Sequence, residues 1–171
     1  MDLVRALVRD VPDFPKKGIL FRDITPVLGD AAAFRQVIDA LAGRYADRGV
    51  TKIAGIESRG FVFASAVAYV LGCGFVILRK PGKLPRPTYK ATYALEYGQD
   101  TLHVHQDALA AADQVVVLDD LIATGGTAKA AAELVGMAGA TLVELAFVIE
   151  LTALGGRERL RGLPVFSLLS Y

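Results

Sequence analysis

Apolar positions along the chain follow two periods. From Phe34 they recur at three- and four-residue steps, at Val37, Ile38, Leu41 and Tyr45, and Asp30 stands just ahead of them as an acceptor for free amides. That pattern predicts a capped amphipathic helix. Ile53-Ala54-Gly55-Ile56 is a short apolar run that ends in the polar cluster Glu57-Ser58-Arg59-Gly60, and it predicts a buried strand. From Phe61 to Leu78 there are eighteen residues without a charge, a length at which a membrane helix becomes a candidate. Gly72-Cys73-Gly74 divides the run into a helical, Ala-rich half, Phe61 to Leu71, and a β-rich half, Phe75 to Leu78. Helix, turn and strand are therefore predicted, closing a βαβ unit with no membrane span.

Lys80-Pro81-Gly82-Lys83-Leu84-Pro85-Arg86-Pro87 is too rich in Pro and Gly for a helix or a central strand, so it predicts a loop. Tyr93 to Tyr97 and Leu102 to His105 alternate around Gly98-Gln99-Asp100 as an antiparallel hairpin would. Val115 to Leu118 is a fully apolar strand ending in Asp119-Asp120. Ala123-Thr124-Gly125-Gly126-Thr127 then turns the chain into an Ala-rich helix closed near Gly136 or Gly139. Leu142 to Ile149 and Val165 to Leu169 complete the strands. The alternation predicts an α/β fold with a mainly parallel central sheet, helices on both faces and one hairpin excursion.

A length of 171 residues, 53% hydrophobic and 22% charged, fits one globular domain and leaves no room for a second sizeable one. Net charge is +1, so no global electrostatic argument favours a nucleic-acid binder. One cysteine excludes an internal disulfide and a Cys-based zinc framework. The N-terminal residues lack the apolar core of a signal peptide, and a reducing, cytoplasmic setting is expected. The local charge pattern says more. Between Ser58 and Leu95 there are six bases and no acid, whereas between Glu96 and Gly156 there are nine acids and one base, Lys129. A polyanionic ligand held partly by bases and partly through a divalent cation would need both surfaces; solvated faces that happen to segregate are the plain alternative.

The most informative segment is Val115-Val116-Val117-Leu118-Asp119-Asp120-Leu121-Ile122-Ala123-Thr124-Gly125-Gly126-Thr127. Ligands of open parallel sheets bind beyond the carboxyl ends of the strands, and the acid pair stands there, able to accept from vicinal hydroxyls or hold hydrated magnesium. The small residues after it leave backbone N–H groups free to wrap a phosphate at a helix N-terminus. Neither a Walker A sequence nor a Gly-x-Gly-x-x-Gly fingerprint is present. The segment resembles the 5-phosphoribosyl-1-pyrophosphate (PRPP) signature of the type I phosphoribosyltransferases. Further stretches, Phe14 to Leu28, Glu57 to Phe61, Arg79 to Pro85, Tyr93 to Gly98 and Phe166 to Tyr171, are similar to the adenine-specific members of that family.

The resemblance implies a sheet with an N-terminal hood over residues 1–30 and a mobile hairpin over about 80–106. It implies Mg²⁺-dependent purine salvage, in which adenine and PRPP give AMP and pyrophosphate, by a homodimer that could hide part of Phe61 to Leu78. Asp119 and Asp120 would bind the ribose hydroxyls, with magnesium held mainly by PRPP and water beside them. Ala123, Thr124, Gly125, Gly126 and Thr127 would cradle the 5-phosphate. Glu57, Ser58 and Arg59 would hold pyrophosphate, with Arg59 also counted in catalysis, and Lys80 and Lys83 would reach the diphosphate. Adenine would be read by backbone groups of Leu20 and Arg22 and stacked on Phe21, with Leu121 or Ile122 on its other face. Phe21 would otherwise staple the N-terminal segment to the core, and Asp23 is either part of this site or only a salt-bridge partner for Arg22. Glu96 is the expected general base or charge stabiliser, and Tyr97 helps close the site.

Other residues carry less. His103 and His105 have a spacing that can bind metal, but no third ligand lies nearby in sequence. Cys73 reads as a small packing residue, and Arg86 and Lys90 as solvated loop charges. A relative using another base such as xanthine, a PRPP-sensing regulator and a PRPP synthetase are the competing readings. The last two need a longer chain.

Overall fold

The computed structural model describes residues 1–94 and 98–171. Ahead of the first helix predicted from sequence, the chain forms α1 (Asp2–Leu7), an antiparallel pair of β1 (Arg9–Pro12) and β2 (Leu20–Asp23), and α2 (Thr25–Gly29). The periodic stretch is α3 (Ala31–Tyr45), and the Asp30 carboxylate accepts from the amides of Ala32 and Ala33 at 3.0 and 2.8 Å. Such a cap contributes about 1 kcal/mol by satisfying amides that have no partner within the helix. Next come β3 (Lys52–Ile56), α4 (Gly60–Leu71) and β4 (Gly74–Leu78), and the uncharged run breaks at Gly72, a left-handed C-cap at φ +65°. No helix among the described residues is long and apolar enough to cross a membrane.

The hairpin differs from its sequence reading. It pairs β5 (Thr88–Ala94) with β6 (Gln99–His105), and Gln99 and Asp100 lie in the ladder opposite Ala94 and Tyr93 instead of in the turn. The Thr and Tyr residues ahead of Tyr93 extend the β pattern back to the proline-rich loop. Positions 95–97, which include Glu96 and Tyr97, lie outside the described residues.

After the hairpin come β7 (Gln114–Ile122), α5 (Gly126–Met137), β8 (Thr141–Glu150), a 3-10 turn at Thr152–Leu154, α6 (Gly156–Arg159) and β9 (Val165–Ser170). β7 does not stop at the acid pair: it stays paired to β8 through Ile122, so Asp119 and Asp120 sit within the strand. The five-stranded sheet is parallel throughout, in the order β4-β3-β7-β8-β9. One face packs Ile53, Val116 and Leu118 against Leu41, Phe63 and Val67 of the helices before β4. The other packs Ala54, Val115 and Val117 against Leu134 of α5 and Leu102 and Val104 of the hairpin. The direction in which successive strands are added reverses between β3 and β7, since β3 leads outward to β4 and β7 outward to β8. The crevice beyond their carboxyl ends is where such sheets bind ligands.

Candidate active site

Two adjoining recesses open at that crevice. The first, about 110 Å³, is lined by Asp119, Leu121, Ile122, Phe147 and the loop Ala123 to Thr127, with Ala128 behind it. The second, about 230 Å³, is lined by Glu57, Ser58, Arg59, Lys80, Asp119, Asp120, Leu121 and Thr127. The acid pair, the glycine loop, the turn after β3 and Lys80 thus line one crevice, the grouping that the family resemblance implied.

The phosphate loop takes its shape from glycines. Gly125 has φ +77°, a conformation L side chains rarely adopt, and a Cβ there would stand 2.5 Å from the Gly156 carbonyl oxygen. Gly126 opens α5, so the loop that lines the recess leads straight into a helix N-terminus. Thr124 is exposed and Thr127 half-buried, which leaves both hydroxyls near the recess. Ile122 lines the wall but belongs to the core, whereas Leu121 is half-buried where the two recesses meet.

The two acids of β7 differ in environment. Asp120 is ion-paired with the Arg59 guanidinium. The Asp119 carboxyl is pushed well above the usual carboxylate range, by burial first and by the charge of Asp120 second. One of its oxygens accepts the Asp120 amide at 2.9 Å. Gly60, the first residue of α4, packs directly on it: a Cβ there would lie 2.7 Å from Asp119 Oδ1 and 2.9 Å from the Leu118 carbonyl. Gly60 and Gly156 bring backbone close against the acid pair and the glycine loop, an approach the sequence reading did not single out. Their only local signal is a glycine where a turn enters a helix.

The turn after β3 contains a cis peptide between Glu57 and Ser58. The Glu57 carboxylate accepts from Arg79 at 3.2 and 3.0 Å and from the Lys80 amide at 2.9 Å. Its pKa is lowered, chiefly by the bond from Arg79. Glu57 therefore ties the turn to the loop after β4. Lys80 Nζ reaches the hairpin, donating to Tyr93 Oη at 2.8 Å and pairing with Asp100. Lys83 is exposed and touches the network through its carbonyl, which accepts from Arg79 at 3.4 Å. Arg86 is an exposed partner of Asp107, and Lys90 is exposed. The charge blocks that are separate in sequence thus pair across the fold, as Arg59–Asp120, Lys80–Asp100 and Arg86–Asp107.

Residues expected to read the base lie on β2. Phe21 is half-buried, edge-on to Phe14 at 5.1 Å between centroids, and Arg59 stands 5.5 Å from its ring centre. Leu20 is exposed. Arg22 does not pair with Asp23. It pairs with Asp10 across the β1–β2 ladder and lies 4.5 Å from the centre of the Tyr171 ring. Asp23 instead caps α2, accepting from the Thr25 amide at 2.9 Å and its hydroxyl at 3.0 Å. Neighbours in a strand point to opposite faces, so Arg22 and Asp23 cannot readily meet.

The remaining candidates lie outside these recesses. His103 Nδ1 bonds the Thr88 hydroxyl at 3.0 Å, and His105 is buried. Cys73 packs at the edge of the core, where burial raises its thiol pKa. No group of three or more metal-binding side chains gathers among the described residues.

The comparisons agree with this geometry. A family profile described as Phosphoribosyl transferase domain matches residues 27–167. The adenine phosphoribosyltransferase of Anaeromyxobacter sp. (strain Fw109-5) is 56% identical over 171 residues, all of this chain and 97% of that one. The crystal structure of adenine phosphoribosyltransferase from Thermoanaerobacter pseudethanolicus is 48% identical and superposes with a TM-score of 0.96 over 99% of each chain. That of the Saccharomyces cerevisiae enzyme, solved with adenine and an imino-altritol bisphosphate, is 42% identical with a TM-score of 0.92 over 98% of this chain and 97% of its own. By its fold, its acid pair and glycine loop, and its full-length identity, this chain belongs to the adenine phosphoribosyltransferases, a branch of the type I phosphoribosyltransferase family.

Proposed function

We infer that this chain makes AMP from adenine and PRPP in purine salvage, releasing pyrophosphate. The observation that carries the reading is the convergence of Asp119 and Asp120, the Ala123 to Thr127 loop and Arg59 on one crevice, with Phe21 beside Arg59. The loop amides and the Thr124 and Thr127 hydroxyls take the 5-phosphate. The carboxylates of Asp119 and Asp120 accept the ribose hydroxyls. Pyrophosphate lies against Ser58, Arg59 and the base of Lys80, with Glu57 keeping the turn in register through Arg79.

Binding exchanges ion pairs. In the ligand-free chain Arg59 neutralises Asp120, and Lys80 neutralises Asp100. An incoming diphosphate competes for both cations and frees Asp120 for a ribose hydroxyl, so ion pairs to protein carboxylates are exchanged for ion pairs to the substrate.

Adenine offers a 6-amino donor and an N1 acceptor, which a backbone carbonyl and amide can read without a charged side chain. Leu20 and Arg22, two apart on β2, present their backbone groups to the same edge, with Phe21 as the stacking surface. Glu96 removes or balances the N9 proton as the base attacks C1, and Tyr97 helps exclude water. These two roles rest on the family resemblance.

Magnesium fits this site as a substrate-borne ion. With Asp120 paired to Arg59 and no cluster of three carboxylate or imidazole ligands among the described residues, the ion would be held by PRPP oxygens and water beside Asp119 and Asp120. Bound there, it would stabilise the charge on departing pyrophosphate.

The second copy of a homodimer would cover α4 and edge strand β4, where Val62, Tyr69, Val70 and Phe75 expose apolar surface, Tyr69 to 87%. A cytoplasmic setting suits a chain with a single cysteine.

The test is to mix protein, PRPP and magnesium separately with adenine, xanthine, hypoxanthine and guanine and follow nucleotide formation. AMP from adenine alone is expected; turnover of another base instead would overturn the reading of β2. Glu96→Gln should lower the chemical step ~10²- to 10⁴-fold, and unchanged single-turnover rates would remove Glu96 from the mechanism.

A further inference from the structure

The phosphate loop is backed by a segment that no substrate is expected to touch. β8 ends at Glu150, which is in register with Ile122, the last residue of β7 before the loop, and the Leu151 amide donates to the Ile122 carbonyl at 3.0 Å. The chain then turns through Thr152–Leu154 and Gly155, at φ +63°, into Gly156. Backbone meets backbone there. A Cβ on Gly156 would lie 2.3 Å from the Ala123 carbonyl oxygen and 2.9 Å from Ile122 Cγ1, and one on Gly125 would lie 2.5 Å from the Gly156 carbonyl oxygen. With no side chain between them to absorb a shift, any movement of Gly156 passes straight into the loop.

What fixes Gly156 is its neighbour. Arg157 donates from Nε and Nη2 to the two oxygens of Glu150 at 2.9 and 2.6 Å, and from Nη1 to the Val165 carbonyl at 3.0 Å. Ser167 Oγ completes the carboxylate at 2.8 Å. Glu150 is buried at 7% exposure, and its pKa is lowered chiefly by the Arg157 bonds. A planar guanidinium bonded in two directions fixes both the position and the angle of the residue that carries it, which a lysine cannot do. The fork thus closes the excursion of six residues between Glu150 and Arg157 and sets the floor under Ala123 and Gly125.

We propose that the Glu150–Arg157 pair, completed by Ser167, is a positioning clamp for the phosphate loop: it holds Gly156 against Ala123 and Gly125 so that the loop amides converge on the 5-phosphate. The inference rests on the reading that this loop binds that phosphate. Phosphate recognition by amides tolerates displacements of only a few tenths of an ångström, so loosening the clamp should weaken ligands with a 5-phosphate and spare those without one.

The test is calorimetric titration of the full chain with AMP and, separately, with pyrophosphate, which lies against the Glu57 to Arg59 turn. Three variants are compared: Arg157→Lys; the double substitution Glu150→Gln with Arg157→Met, which leaves no unpaired buried charge and so retains the fold; and Thr127→Ala within the loop. Arg157→Lys and the double variant should each weaken AMP about tenfold and pyrophosphate less than about twofold. AMP affinity within about twofold of the parent in both, or equal losses for AMP and pyrophosphate, would overturn the clamp. Thr127→Ala separates the two readings: if it weakens AMP while the clamp variants do not, only the clamp falls. If it too leaves AMP unchanged, the phosphate-loop reading falls with it.

Discussion

The phosphate end of the crevice and the base end are built by different means. The loop at Ala123 to Thr127 continues directly from β7, a strand hydrogen-bonded on both sides, and it is backed by Gly156 and the Glu150–Arg157 pair. Phe21 sits on β2, in a two-stranded ladder outside the main sheet, fastened by Phe14, the Arg22–Asp10 pair and a ring contact to Tyr171. The first end is held by backbone packing with no slack, the second by side-chain contacts near the surface. Charge recognition at close quarters requires the former, and a flat, uncharged base entering against an aromatic ring accepts the latter.

The largest effect that could break this contrast is at Gly125. Gly125→Ala places a methyl 2.5 Å from the Gly156 carbonyl at a positive φ, so kcat/KM for PRPP should fall by ~10²-fold or more. Initial-rate kinetics showing a loss below tenfold would mean that the loop has slack after all. Phe21→Ala should raise the KM for adenine about tenfold, since stacking on a base is worth ~1–3 kcal/mol, while the KM for PRPP stays within about twofold. Equal increases in both would show the ends to be coupled.

Tyr171 offers a subtler probe. The guanidinium groups of Arg5 and Arg22 stand 5.0 and 4.5 Å from its ring centre, and its carbonyl accepts from the Thr152 amide at 2.9 Å and hydroxyl at 2.7 Å. Each exposed cation–π contact is worth ~0.5–1 kcal/mol, so Tyr171→Leu should raise the adenine KM about threefold and Tyr171→Phe should leave it unchanged. A loss in Tyr171→Phe would transfer the role from the ring to the hydroxyl.

The smallest effect concerns stability. Asp119 carries a raised pKa, so above its ordinary 3.8 the folded chain binds more protons than the unfolded one, and stability falls as pH rises through that window. Asp23, at the base end, has a lowered pKa, chiefly from the Thr25 amide bond. Its stabilisation is present above 3.8 and is lost as pH falls toward the depressed value. Asp119→Asn should therefore raise Tm by a few degrees at pH 7 and less at pH 4, while Asp23→Asn should lower Tm at pH 7. Thermal melts with the opposite sign for either residue would reverse the assignment.

The same contrast explains how much the sequence disclosed. The helix behind Asp30, the strand before Glu57 and the run from Val115 to Thr127 follow from local pattern alone, because strand, acid pair and loop are consecutive. Local pattern misplaced the hairpin turn, where Gln99 and Asp100 look like turn residues and are held in a ladder by Tyr93 and Ala94. It also offered Asp23 as one of two alternatives for pairing with Arg22, while the actual partners, Asp10 and Tyr171, are set by strand register and by the far end of the chain. The clamp behind the phosphate loop was hidden for the same reason: Ser167 and Glu150 are brought together only by the parallel pairing of β8 with β9.

A crystal structure of the protein with AMP would show whether the crevice holds its product in this way. The account predicts the 5-phosphate within hydrogen-bonding distance of the amides of residues 124–127, the ribose hydroxyls on Asp119 and Asp120 with Arg59 released from Asp120, and the adenine ring stacked on Phe21. A phosphate seated instead against Ser58 and Arg59, or an adenine away from β2 with the Arg59–Asp120 pair intact, would contradict it.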